Sequence, residues 1–270
     1  MQTELPRYQW PHNKTSAVWI TVDVDAYSPL LWRNRHEPEM RFIAEFEQRQ
    51  HGLRAGLYHL LDLFARHQLR TTFFVPALIA ERHPELIPNL ARHHHEIGLH
   101  GYCHEAVRDI TDEEFTRALE QSIKILTEQT GKLPKGFRSP GWEMTRHMLA
   151  ELKRHKLYDS SLAGLDHPYT IEGITELPIL WTREDTSRFK MTGLADRWPP
   201  SNPEAVLKEW LYDWRATAEQ GGLFTLTLHD WIAGRPVQLS ILDEFLNEVS
   251  KDQSVWITTG SEVHKHHTNQ

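Results

Sequence analysis

The chain has 270 residues, a formal net charge of −7 and a single cysteine, Cys103. The negative balance disfavours nucleic acid and anionic membrane as main partners, and one cysteine allows no internal disulfide. No stretch is long and apolar enough to span a bilayer, and the first ten residues carry no apolar signal core, so a cytoplasmic location is expected.

Residues 1–16 read as an irregular lead-in. Residues 17–22 are apolar and β-branched, a buried strand that ends in Asp23-Val24-Asp25. Residues 26–50 read as a long loop carrying Tyr27, Trp32, Phe42 and Phe46, and a loop of that length usually covers something. Leu53, Leu57, Leu60, Leu61 and Phe64 form a helical stripe through His67. A second strand is expected over 71–75, stopped by Pro76, then a short helix from Pro84 to His93 and a strand over 95–99.

His100 and His104 follow, four residues apart, as on one face of a helical turn. Thr111 to Glu114 is a capping box opening a helix through Leu126. Short strands are expected at 136–138 and 157–160, with a helix over 145–155 between them. Residues 161–175 read as irregular, 176–181 as a strand and 186–202 as a second long loop. Asn202 caps a helix from Pro203 to Gln220. The strand 222–228 ends at His229; a helix over 239–249, a strand over 255–259 and a tail at 264–270 complete the chain. The triplet His93-His94-His95 and the tail histidines 264, 266 and 267 read as solvated.

Strands and helices alternate without linker or repeat. This predicts an α/β fold: a single distorted (β/α) barrel of seven or eight mainly parallel strands, one domain over 1–270. In such a barrel the C-terminal strand ends meet at one face, and the unusual polar residues all fall there. Asp25, His100 and His104 form a two-imidazole, one-carboxylate set suited to Zn2+ or another divalent transition metal. Such a metal lowers the pKa of its water and polarises a carbonyl. Asp23 then suits a proton acceptor, and Arg138 either pairs with it or makes a surface ion pair. His229 suits a proton donor to a leaving amine, with Asp185 and Asp230 both candidates to orient it. Tyr102, Trp142, Trp181 and Trp231, with Tyr27, Trp32 and Trp198 nearby, are candidates to line a pocket for a sugar ring or small heterocycle.

Four motifs bring a family into view. Thr21-Val22-Asp23-Val24-Asp25, His100-Gly101-Tyr102-Cys103-His104, Phe137-Arg138-Ser139-Pro140-Gly141 and Leu226-Thr227-Leu228-His229 together resemble the motifs of the polysaccharide deacetylases. The resemblance spans residues 15–263. It is nearest the branch holding peptidoglycan deacetylase-like proteins and allantoinase-like cyclic amide hydrolases. The family has its two aspartates adjacent; here a valine separates them.

The resemblance implies a distorted barrel that hydrolyses a non-peptide amide. Asp25, His100 and His104 would be the zinc ligands, Asp23 the base, Arg138 its tether and His229 the acid. It also implies a homo-oligomer. The expected substrate is an N-acetylated sugar or related N-acyl compound, with a small cyclic amide or imide as the alternative. An iron(II) oxygenase, which shares the donor set, and a non-catalytic binding barrel are more remote readings.

Overall fold

The computed structural model describes residues 7–37, 43–193, 196 and 199–270. Trp198 and Phe42 lie outside the described residues. The chain opens with β1 (Ser16–Asp23), α1 (Ser28–Arg33) and α2 (Ala44–His51). A π-helical turn, Gly52–Gly56, leads into α3 (Leu57–Arg66). Then come β2 (Thr72–Val75), α4 (Ala77–Arg82), α5 (Leu86–Arg92), β3 (Glu96–Leu99) and α6 (Asp112–Thr130). The middle holds β4 (Gly136–Phe137), α7 (Arg146–His155), β5 (Tyr158–Asp159), β6 (Tyr169–Ile171), β7 (Ile174–Glu176) and α8 (Thr186–Phe189). The last part comprises α9 (Pro203–Glu219), β8 (Leu223–His229), α10 (Asp230–Ala233), α11 (Pro236–Ser250), β9 (Val255–Thr258) and α12 (Gly260–Thr268). Among the described residues no helix is long and apolar enough to cross a membrane.

Among the described residues the sheet has nine strands, one more than the upper expectation, in the order β6-β7-β5-β4-β3-β2-β1-β8, with β9 on the lower half of β1. Every pairing is parallel except β6 with β7. The segment leading from β7 to β8 closes the seam. The Asp185 N–H donates to the Thr227 carbonyl at 3.2 Å, and the Thr225 hydroxyl donates to the Pro178 carbonyl at 2.8 Å. The result is the curled, distorted barrel that the alternating pattern implied.

Alternation along β1 sorts its side chains between two layers. Val18, Ile20 and Val22 pack outward against the helices, while Ala17 and Trp19 join an inner cluster with Phe74, Tyr158, Leu177 and Leu223. Trp19 meets Phe74 and Tyr158 edge-on at centroid distances of 6.0 and 6.2 Å. These rings floor the barrel, and the polar residues of β1, Thr21 and Asp23, come next above them.

Several elements differ from the sequence expectation. The 26–50 loop contains α1 and α2, and α4 was missed because six residues after a proline show little periodicity. Residues 161–175 hold the β6–β7 hairpin, whereas 177–181 leave the sheet at Pro178. The 264–270 tail is mostly helix α12, opened by a capping box between Thr259 and Glu262. Its histidines are partnered: His264 bonds Thr175, His266 the Gln9 carbonyl and His267 the Tyr8 hydroxyl. His95 is buried as well, its Nδ1 accepting from the Thr71 N–H at 3.2 Å.

Candidate active site

The histidine pair does not ride on a helical turn. Gly101 and His104 both take left-handed backbone, with φ of +70° and +54°, so the stretch curls into a loop. Glu105 folds back to pin it, accepting from the N–H groups of Tyr102 at 3.0 Å and Cys103 at 2.8 Å. A side chain on Gly101 would run into that carboxylate. The loop nevertheless turns both imidazoles onto Asp25. His100 Nε2 lies 3.3 Å and His104 Nε2 3.5 Å from Asp25 Oδ1.

This cluster has the features of a cation site. His100 Nδ1 is 2.7 Å from the Arg138 carbonyl. A carbonyl only accepts, so Nδ1 carries a proton. Burial works against charge on His100, but Asp23 and Asp25 raise its pKa above the usual value, and Nε2 faces Asp25. Asp25 Oδ1 is itself buried and receives no hydrogen bond. Burial would raise the Asp25 pKa, but His104, His100 and His229 overcome it and hold the carboxyl below the usual range. Burial takes His104 down to about 4, so its imidazole is neutral at pH 7. A buried carboxylate oxygen with no hydrogen bond and two imidazole nitrogens within ligand reach is a donor set that a divalent transition metal satisfies.

Asp23 sits beside it, fully buried at the end of β1. Arg138 Nη1 donates to Asp23 Oδ1 at 2.8 Å and to the Thr21 hydroxyl at 2.7 Å. Its Nε donates to the Ser160 carbonyl at 3.1 Å and its Nη2 to the Ser160 hydroxyl at 2.9 Å. The guanidinium lies 4.3 Å from the Phe74 ring centroid, on the aromatic floor. Arg138 is therefore a fully buried tether and not a surface ion pair. The other Asp23 oxygen, Oδ2, faces His100 Nε2 at 3.9 Å.

On the neighbouring strand His229, the register partner of Asp23, ends β8 with Nε2 3.8 Å from Asp25 Oδ2. Its Nδ1 bonds Asp185 Oδ1 at 2.6 Å, and its own N–H donates to Asp185 Oδ2 at 2.8 Å. Burial works against charge on His229, but the Asp185 carboxylate wins and lifts it to about 10. Burial raises Asp185 to about 6, so near pH 7 the pair is imidazolium and carboxylate. Asp185, Glu184 and His229 also lie close enough to form a metal-like set. Glu184, however, is taken up by the Thr186 and Ser187 N–H groups, which leaves an orienting pair. Asp230 bonds the Ala26 N–H at 3.2 Å instead of His229, and burial followed by the Asp25 charge raises it to about 7.

The aromatic candidates separate. Trp142 and Trp181 pack together with centroids 4.2 Å apart and ring planes tilted by 36°, on loops leaving the C-terminal ends of β4 and β7, and Trp181 is 59% exposed. The Tyr102 hydroxyl donates to Glu81 on α4 at 2.9 Å. Trp231 is only 1% exposed, packed under the Arg49 guanidinium at 4.3 Å, and presents no surface to a ligand. Thr21, Ser160, Glu105 and Arg49 were missed by the sequence reading. Glu105, directly after His104, was the one with a positional signal.

Comparison with known proteins agrees with this arrangement. The polysaccharide deacetylase family profile matches residues 46–159. A solved Mycobacterium smegmatis structure assigned as a polysaccharide deacetylase is 33% identical, with a TM-score of 0.90 over 98% of this chain and 94% of that one. The chain belongs to the polysaccharide deacetylase family. It is a hydrolase of carbon–nitrogen bonds other than peptide bonds, which sets aside the oxygenase and binding-barrel readings. The peptidoglycan deacetylase of Helicobacter pylori is 25% identical over 239 residues, covering 75% of this chain and 80% of that protein. An allantoinase structure shares the fold at a TM-score of 0.83, with 20% identity over 98% of this chain and 94% of that one.

Proposed function

We propose that the chain is a metal-dependent deacetylase that cleaves the amide of an N-acetylated sugar or related N-acyl compound. Asp25, His100 and His104 would hold Zn2+ or a similar divalent ion. The observation that carries this reading is the bare, buried Asp25 Oδ1 with two imidazole nitrogens turned on it. When bound, such an ion lowers the pKa of water towards about 7 and polarises the amide carbonyl.

The chain's own residues do the rest. Asp23, its Oδ1 fixed by Arg138, uses Oδ2 to take a proton from the attacking water. As the water oxygen bonds to the carbonyl carbon, the C–N bond breaks. His229, charged by its contact with Asp185, gives its Nε2 proton to the departing nitrogen. Acid and base thus come from neighbouring strands, His229 from the end of β8 and Asp23 from the end of β1, where the two are register partners. Trp142 and Trp181 offer a packed, partly exposed aromatic pair for a sugar face.

A small cyclic amide or imide is the second reading. It draws on α2, which packs on α10 directly after His229, and on Arg49, which donates to the Ala26 carbonyl at 3.3 Å. Incubating the zinc-loaded protein with N-acetylglucosamine oligomers and with hydantoin-type rings separates the two. Acetate release without ring opening is expected; ring opening without acetate release overturns the deacetylase assignment in favour of the second.

A further inference from the structure

Two buried carboxyl groups have no part in the chemistry above. Asp159 ends β5 and Glu176 ends β7, and they are register partners on neighbouring parallel strands. Both are fully buried. Each has one satisfied oxygen and one bare one. Glu176 Oε1 accepts from the N–H groups of Ser161 and Leu162, both at 3.0 Å, and Asp159 Oδ1 accepts from the Ser161 hydroxyl at 2.7 Å. Glu176 Oε2 and Asp159 Oδ2 are buried and receive no hydrogen bond. Among the described residues no cationic side chain bonds either group. Two carboxylates left side by side in a dry interior would repel and lack donors. A single proton between the bare oxygens removes both problems, because a carboxylic acid donates to a carboxylate.

We propose that Asp159 and Glu176 share one proton, and that this acid–carboxylate pair positions Arg138. Residue 160 connects the two. Asp159 and Ser161 point to the pair, while Ser160 between them supplies its carbonyl and hydroxyl to Arg138. The Ser161 hydroxyl also accepts from the Ser139 N–H at 2.9 Å, next to Arg138 in the chain. The pair therefore grips both segments that set the guanidinium, and Arg138 sets Asp23. Only this last link rests on the proposed role of Asp23 as base.

The surroundings favour one retained proton. Burial raises Glu176 well above the usual carboxyl range, and the Asp159 charge adds to it; burial raises Asp159 too. The neighbours offer little compensating charge. Arg138 acts on Asp159, Tyr169 is the register partner of Glu176 on β6, and α7 buries Met148, Leu149 and Leu152. His264 bonds Thr175, the residue before Glu176 on β7.

Glu176→Gln is the informative variant. Its amide oxygen can keep the two backbone bonds, and its N–H lies where the shared proton would be. The infrared spectrum of the full chain should show a protonated carboxyl carbonyl band that Glu176→Gln lacks. In Glu176→Ala, studied where circular dichroism shows it folded, the Arg138 Nε–H should exchange faster. Its kcat for acetate release from N-acetylglucosamine oligomers should fall on the order of tenfold to a hundredfold with KM little changed. Glu176→Gln should restore most of both losses. An infrared difference of zero overturns the shared proton. A folded Glu176→Ala with unchanged Arg138 exchange overturns the positioning role. Full turnover by Asp23→Asn would instead remove the base assignment, and the infrared and exchange results would still decide the pair.

Discussion

Asp23 uses its two oxygens for different ends. Oδ1 is fixed by Arg138 at 2.8 Å, while Oδ2 faces the Asp25–histidine cluster, 3.9 Å from His100. Asp23→Asn keeps the shape but cannot take a proton. It should bind zinc as the parent does and lose turnover by a factor on the order of 10²–10⁴, read as kcat at saturating substrate. Turnover within a few-fold of the parent would remove Asp23 from that role. Residues of this kind were legible in the sequence because aspartate, histidine and arginine at strand ends are chemically conspicuous. Thr21 and Ser160 were not, since small hydroxyl residues occur everywhere and their partner is remote in the chain. The choice between Asp185 and Asp230 was open for a related reason. Only the fold shows that the loop after β7 swings Asp185 onto His229, while Asp230 turns back to Ala26.

Elements became legible in proportion to their length and burial. β1 and β8 are buried at every position and read as continuous apolar runs. β4 and β5 have two residues each, too few for a period, and only β4 had a residue singled out from the sequence, Arg138, at its end. α12 was missed because its polar, histidine-rich sequence hides the capping box at Thr259 and Glu262, which was a usable signal.

The junction of α3 and α10 shows how tightly elements meet near the site. A Cβ on Gly234 would come 2.2 Å from the Gly56 Cα, backbone against backbone. Gly234→Ala must therefore push α10 off the π-helical turn before α3. It should lower stability by about 1–3 kcal/mol in urea unfolding. An unchanged midpoint and slope would show that the junction has slack.

At the scale of the whole molecule, a parallel barrel is what lets residues as distant as Asp25 and His229 share one end, above a floor of Trp19, Phe74 and Tyr158. The same tight burial makes stability pH-dependent away from the site. His95 is packed against Phe73 and Phe64. Burial, then His93 and His94, depress it from 6.5 to about 4. Above roughly pH 6.5 the imidazole is neutral whether folded or unfolded, and the full stability is present. Between there and pH 4 the unfolded chain binds the extra proton, so stability falls as pH falls. His95→Gln should show a smaller loss than the parent between pH 7 and pH 5 in urea unfolding. Equal losses would mean that His95 is not the titrating group.

The proposed chemistry needs one metal ion held by Asp25 after β1 and by His100 and His104 after β3. The most direct measurement is calorimetric titration of zinc into chelator-stripped protein, beside the His104→Ala variant. One tightly bound zinc per parent chain, and no stoichiometric binding to the variant, is the expected result. A parent that takes up no zinc, or a variant that still binds one per chain, would contradict it.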